Sequence, residues 1–316
     1  MMGTRFPSGD PAADRRASYA EMLVHIGDLG AAIEVFAGTM DLVPGWAAGW
    51  FRLGELLEGA GAVEEACAAW DKAVIADPAD PLGAGLKRDL LRRVPVTDTM
   101  PSAFVELLFD QYAHRFETSL VDKLAYRGPA LIADALTRAG VGYASRVLDL
   151  GCGTGLAGVV LRERSGWLGG YDISENMLAE AAEKGIYDLL EKRDLSTLEL
   201  GAERYDLIVA ADVFIYLGAL ERILGWCADA LAPGGTLTFT VELGEAPVEL
   251  RESRRFAHSR AYVEGLLADA GFALVQIEDC VLRQDRGSDV ASLCVVASAL
   301  MQRPEREGDQ VVRTLA

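Results

Sequence analysis

Arg146-Val-Leu-Asp-Leu-Gly-Cys-Gly-Thr-Gly-Leu156 is the stretch on which the fold turns. Val147, Leu148 and Leu150 form the apolar run of a strand covered on both faces. The run passes straight into glycines at 151, 153 and 155, which let backbone come close to a ligand. Thr154 is placed to cap the helix that follows. The next strand-like run, Trp167-Leu-Gly-Gly-Tyr-Asp172, ends in a carboxylate, at the separation expected of an acid that holds ribose hydroxyls at the neighbouring strand end. Together they predict an α/β domain whose cofactor contains a ribose. Without a ligand, the same glycines read as a tight strand-to-helix turn.

The glycine spacing separates the candidate cofactors. A dinucleotide fingerprint counted from Gly151 would place its last glycine on Leu156, and the shifted match at Gly153, Gly155 and Gly158 begins two residues beyond the strand end. Counted from Asp149, the pattern is D-x-G-x-G-x-G, which resembles the first motif of the class I S-adenosylmethionine-dependent methyltransferases. Further motifs follow in that family's order: Tyr171-Asp-Ile-Ser-Glu-Asn-Met-Leu178, Arg193-Asp-Leu195, Tyr205-Asp-Leu-Ile-Val-Ala-Ala-Asp-Val-Phe-Ile-Tyr-Leu217 and Leu231-Ala-Pro-Gly-Gly-Thr-Leu-Thr-Phe-Thr240. The resemblance implies a Rossmann-like, seven-stranded, mostly parallel sheet with an antiparallel last strand, running over residues 103–300. Phe272–Glu278 and Ala291–Ser298 would supply the last two strands. It also implies S-adenosyl-L-methionine as cofactor, held by Asp149, Gly151, Cys152, Gly153, Gly155, Asp172, Ile173, Met177, Asp194, Leu195 and Ala211. Asp172 would take the ribose, Met177 would lie against the adenine, and Asp194 would sit near its amino group.

Ahead of the first strand, Phe109-Asp-Gln-Tyr-Ala-His-Arg-Phe116 resembles the N-terminal cap of small-molecule and tetratricopeptide-linked methyltransferases, and Tyr112 is the residue that would close over the cofactor. The competing reading has Phe109, Tyr112 and Phe116 as a helical stripe packed on the core, with His114 and Arg115 facing solvent. Late in the chain, Arg251-Glu-Ser-Arg-Arg-Phe-Ala-His-Ser-Arg260 concentrates four arginines and a histidine. Arginine grips carboxylates and phosphates through paired N–H groups, so Arg255 is a substrate candidate alongside Tyr216 and His114, and His258 is the candidate general base. The alternative is a set of solvated arginines at the start of a helix, Arg260–Ala270, capped by Ser259.

Residues before the linker are helical and alanine-rich. Trp50, Leu53, Gly54, Leu57, Ala66, Trp70, Ala73 and Pro78 follow the tetratricopeptide spacing. A shift of one repeat, roughly 34 residues, brings Tyr19, Ala20, Leu23, Ala32, Phe36 and Pro44 into register. The expectation is an all-α domain over 13–93, with repeats at 13–46 and 47–80 and a closing helix. It would follow a disordered terminus at 1–12 and precede a linker at 94–102, and 301–316 would form a mobile tail. Such repeats either recruit a protein partner or substrate, or serve as a lid or dimerisation element. The whole chain thus resembles the predicted tetratricopeptide-repeat-containing methyltransferases.

Composition narrows the function. The 316 residues carry a formal charge of −18, which argues against nucleic acid as partner, because such binding rests on neutralising phosphates. No apolar run approaches the roughly 18 residues of a spanning helix and no secretory leader is visible, so a cytoplasmic protein without membrane attachment is expected. Cysteines at 67, 152, 227, 280 and 294 have no metal-ligand spacing, and no metal is expected. The loop Ala211-Asp-Val-Phe-Ile-Tyr216 lacks the Asn/Asp-Pro-Pro-aromatic motif of exocyclic-amine methyltransferases. The acceptor expected is a small metabolite or a protein side chain. The alternative is a repeat scaffold or adaptor carrying a non-catalytic cofactor fold, and the oligomeric state is left open.

Overall fold

The computed structural model describes residues 6–92, 100–117, 124–285 and 287–300. Residues 1–107 form one compact unit and 108–316 another. The expected linker falls mostly on residues 93–99, and the expected tail wholly on 301–316, outside the described residues.

The first unit is built from helix pairs. Helices α1 (Pro11–His25) and α2 (Leu29–Met40) pack together, as do α3 (Ala47–Gly59) and α4 (Val63–Ala76), and α5 (Ala84–Arg92) packs on α4. Three-residue connections force each pair into a hairpin. The large residues of one pair sit against small residues of the other element. Trp70 is fully buried, and a Cβ on Gly54 would come within 2.3 Å of its indole, so only glycine lets α3 and α4 approach this closely. Ala20 and Phe36, one repeat length earlier, are likewise buried. The terminus differs from the sequence expectation. Helix α1 already begins at Pro11, because Asp10 accepts from Ala12 N and Ala13 N, and Ser8 and Phe6 are tied down by Asp14 and the Trp46 indole N–H.

The second unit contains helix α7 (Gly128–Arg138) and a mixed sheet. Strands β1 (Ala144–Leu150), β2 (Ser165–Asp172), β3 (Leu189–Lys192), β4 (Tyr205–Ala210) and β5 (Leu231–Leu243) run parallel in the order β3-β2-β1-β4-β5. Helices α8 (Leu156–Arg162), α9 (Glu175–Glu183) and α10 (Glu221–Ala230) make the crossovers. Strand β9 (Ser288–Leu300) lies antiparallel between β5 and β8 (Phe272–Asp285). The core fills from both faces: Leu148, Ile208, Phe239 and Val295 on one side, and Val147, Leu168, Leu207 and Val209 on the other.

Nine strands are present among the described residues where seven were expected. The two extra ones, β6 (Val248–Leu250) and β7 (Phe256–His258), form a hairpin next to β5 and precede helix α11 (Arg260–Asp269). The arginine-rich segment is therefore a turn between strands rather than a stretch of solvated residues leading into a helix. At three residues each, these strands are too short to show the alternation by which strands are recognised.

Candidate functional site

The C-terminal ends of β1, β2 and β4 converge, as ligand-binding edges of open α/β sheets do. Gly155 takes a left-handed φ of +89° and is itself the N-cap of α8, its N–H donating to Cys152 O at 2.8 Å. Thr154 is not the cap: its hydroxyl donates to Glu117 Oε1 at 2.8 Å. Asp172, 7% exposed, accepts Gly153 N–H at 2.8 Å on one oxygen and Ser174 N–H at 2.9 Å on the other. Burial pushes its carboxyl up to about 6 despite these two amides and that of Ile173.

A carboxylate has about four lone-pair sites, so Asp172 keeps acceptor capacity for a pair of ribose hydroxyls. A Cβ on Gly153 would meet nothing nearer than Phe116 at 3.9 Å, which leaves the approach to this loop open. These residues fit the group that the motifs imply.

Other candidates are placed differently from their expected roles. Asp149 is 1% exposed and accepts a hydrogen bond from the Tyr187 hydroxyl at 2.7 Å. Its carboxyl is pushed up to about 7, by burial first and then by Asp172, against the lowering effect of Tyr187. It holds Tyr187 in place, and that ring lies where Gly158 leaves room, a Cβ there falling 2.2 Å from the Tyr187 oxygen. Gly158, the last glycine of the shifted dinucleotide match, thus serves side-chain packing. Gly151 is required by Val213, 2.3 Å from its would-be Cβ. Met177 and Cys152 are buried, Leu195 is nearly so, and Ile173 and Ala211 are half-buried. Asp194 caps the turn Leu195–Thr197 through Ser196 N and Oγ on a single oxygen.

From Leu108 onward, the end of α6 (Ser102–Tyr112) and the turn after it are fastened to three strand-end loops. Asp110 Oδ1 accepts from the Ser174 hydroxyl at 2.5 Å, and the backbone oxygen of Asp110 accepts from Asn176. Glu117 joins Thr154 and Lys184. Phe109 meets Phe116 edge-on at 6.0 Å and Tyr216 at 5.2 Å. Such pairs contribute about 0.5–1.5 kcal/mol each beyond area burial. The stripe reading applies to Phe109 and Phe116 only, since Tyr112 is 50% exposed. His114 is on the surface, paired with Glu180 at 2.6 Å, which removes it from the substrate candidates.

Beyond β4 the sequence reading missed the dominant feature. Asp212 adopts φ +57°, its N–H donating to Thr240 Oγ1 at 2.9 Å, and it accepts from Arg283 Nη1 at 2.6 Å on each oxygen. Arg283, fully buried, also donates to Glu242 on β5. Arg251 from the β6–β7 turn approaches Glu242 at 3.5 Å and bonds Glu249 and Leu243 O. A register shift in β8 between Val281 and Gln284 lets consecutive Leu282 and Arg283 both point inward, so no alternation marked the arginine. The left-handed φ of +57° at Asp212 and its 71-residue separation from Arg283 left no local signal either.

Arg255 and Tyr216 are brought close together here, the Tyr216 side chain favouring the charged guanidinium. His258 is not a base facing an acceptor. It is fully buried in β7 with Nε2 2.8 Å from Gly218 O, stacked on Tyr262, and burial lowers its pKa. Among the described residues no group of three or more His, Cys, Asp or Glu is placed to hold a metal, and no helix is long and apolar enough to cross a membrane.

Residues 148–237, which include the β1 loop, Asp172 and Asp212, match the methyltransferase domain family. The chain is 28% identical over 124 residues to the malonyl-[acyl-carrier protein] O-methyltransferase of Enterobacter lignolyticus, covering 39% of this chain and 49% of that one. It is 34% identical over 130 residues to the trans-aconitate 2-methyltransferase of Streptomyces avermitilis, covering 39% and 48%. It thus spans about half the length of these curated relatives. A solved chain from the complex between the Haloferax volcanii Trm112 methyltransferase activator and a putative methyltransferase shares the fold. Its TM-score is 0.53 at 21% identity, over 64% of this chain and all of that one. The second unit thus carries a methyltransferase-domain match over residues 148–237 and shares its fold with that solved chain.

Proposed function

We propose that the protein transfers a methyl group from S-adenosylmethionine to an oxygen of a small-molecule or protein acceptor. The observation that carries this reading is Asp172, a buried carboxylate held by two loop amides with acceptor capacity to spare, under a cap fastened to three strand-end loops. The names of the relatives support an oxygen acceptor, one being an O-methyltransferase. Bound S-adenosylmethionine supplies an activated methyl group. Asp172 would hold its ribose, the Gly153 loop would take its backbone-facing side, and Leu195 and Asp194 would border its adenine. Phe109, Phe116 and Tyr112 would exclude water. Placement of the acceptor then supplies much of the acceleration through orientation.

The helical unit fits a tetratricopeptide-like role in recruiting an acceptor or partner, supported by the buried Gly54–Trp70 contact and its counterpart at Ala20 and Phe36. Titration calorimetry with S-adenosylmethionine, S-adenosylhomocysteine and NAD tests the reading. Micromolar binding of the first two and none of the third is expected. Binding of none of them would leave a repeat scaffold with a non-catalytic fold.

A further inference from the structure

Three arginines surround the end of β5, and they are not equivalent. Arg283 spends both terminal nitrogens on Asp212 and Glu242. Arg251 is held by Glu249 and Leu243 O. Arg255, whose side chain is 23% exposed, has one carboxylate within reach, Asp285 at 3.7 Å, which is too long for a hydrogen bond, besides the Tyr216 side chain. A guanidinium carries five N–H donors, so most of those on Arg255 have no protein acceptor among the described residues. A half-buried cation costs free energy unless its donors are met.

Tyr216 connects Arg255 to the site, since the same ring is met edge-on by Phe109 of the cap. The Tyr126 side chain lies close to Asp212, Arg283 and Tyr216 as well. The surroundings of Arg255 are polar toward the β4 and β5 ends, where Asp212 and Glu242 are committed to Arg283. Neither imidazole of the second unit is aimed at Arg255: His258 is buried against Gly218 and His114 is on the surface.

Resting on the methyltransferase reading, we infer that the acceptor is a small carboxylic acid and that Arg255 is the residue that binds its carboxylate. The chemistry needs no general base, because an ionised carboxylate has no proton to lose. One carboxylate oxygen receives a hydrogen bond from Arg255 and the other forms the new bond to the methyl carbon. The carbon–sulfur bond breaks with its electrons going to sulfur. The positive charge of the sulfonium and the negative charge of the carboxylate disappear together, and no proton moves. A guanidinium only 23% exposed favours a small free acid over a side chain on a folded protein surface.

The test uses the full chain saturated with S-adenosylhomocysteine, titrated with a panel of mono-, di- and tricarboxylic acids and their carboxamide counterparts. The same acids are then offered with methyl-tritiated S-adenosylmethionine. Acids are expected to bind and amides to bind at least about ten-fold more weakly, as loss of a charge-assisted hydrogen bond implies. The label should appear as an ester that releases methanol in base. Arg255→Gln should raise KM for the acid by about ten-fold or more with S-adenosylmethionine affinity unchanged, and Arg255→Lys should fall between. Acids that bind no better than their amides, an unchanged KM in Arg255→Gln, or label found only on amines or protein overturns the inference alone. Absence of S-adenosylmethionine binding to the unsubstituted chain overturns the methyltransferase reading and this inference with it.

Discussion

Replacing Arg283 by methionine removes the guanidinium while keeping most of the side-chain volume, and its cost follows from the burial around it. The arginine side chain is 0% exposed, Glu242 is 3% exposed and Asp212 is 13% exposed. Removing one partner of a buried ion pair costs about 3–5 kcal/mol, because the remaining charge stays buried without a partner. Here two carboxylates are stranded, and Glu242, already raised by burial, retains only the more distant Arg251 and Arg255. For a unit of this size each kcal/mol moves the midpoint by roughly 2–4 °C. The expected loss is therefore about 6–20 °C in the transition of the second unit, followed by calorimetry on the full chain.

The pH dependence of that loss separates charge from packing. In Arg283→Met the stranded Glu242, whose carboxyl burial already raises, has a folded-state pKa above its unfolded one, so its penalty is present above that folded-state value and disappears as pH falls. The gap between variant and parent should narrow on acidification, and Arg283→Met/Glu242→Gln should recover part of it at pH 8. A shift below about 2 °C at pH 8, or a gap that widens in acid, would refute the reasoning.

Asp172→Ala should weaken S-adenosylmethionine binding by about 100-fold or more, since charge-assisted hydrogen bonds are worth about 1.5–3 kcal/mol each. Unchanged affinity by calorimetry removes the ribose assignment. Asp149 and Asp172 are held near 7 and 6, above their unfolded values, so the native ligand-free protein binds more protons than the unfolded chain between about pH 4 and 7. Its melting temperature should therefore rise as pH falls from 7 to 5, and a flat or falling trend contradicts the burial argument. S-adenosylmethionine affinity should move the other way, declining as pH drops through about 6 and Asp172 takes up a proton. Gly54→Val should lower the first transition by overpacking Trp70, at about 1–3 kcal/mol; a melting curve like that of the parent would mean that α3 and α4 have room to separate.

What was legible in the sequence is what is local. The β1 loop and Asp172 lie within one strand–helix–strand unit, where glycine spacing and a terminal carboxylate are read together, and the cap lies in one short segment. The helical unit was legible for the same reason, since Gly54 and Trp70 recur on the spacing of paired helices. Pairings between distant strands were not. Arg283 meets Asp212 and Glu242 across 71 and 41 residues, inside a strand whose bulge hides its alternation. His258 has a histidine's chemistry in the sequence but a core residue's place, because β7 is too short to announce itself and Gly218 closes on its ring. Asp149 carried the motif, yet its partner Tyr187 lies outside every motif.

The placement of β9 has a consequence for how the protein is made. Among the described residues, the edge of β5 from Thr236 to Glu242 is covered only by a strand whose far end, Leu300, lies 58 residues beyond Glu242 in the chain. At 5–20 residues per second, synthesis leaves that edge without its neighbour for roughly 3–12 s. For the first 41 residues of that stretch, roughly 2–8 s at the same rate, Glu242 and Asp212 wait for Arg283. An open strand edge beside two unneutralised acids resists closing prematurely on itself or on another nascent chain, because their charge guards it against wrong pairing. The acid pair would act as a timer, released when the hairpin that carries its cation emerges.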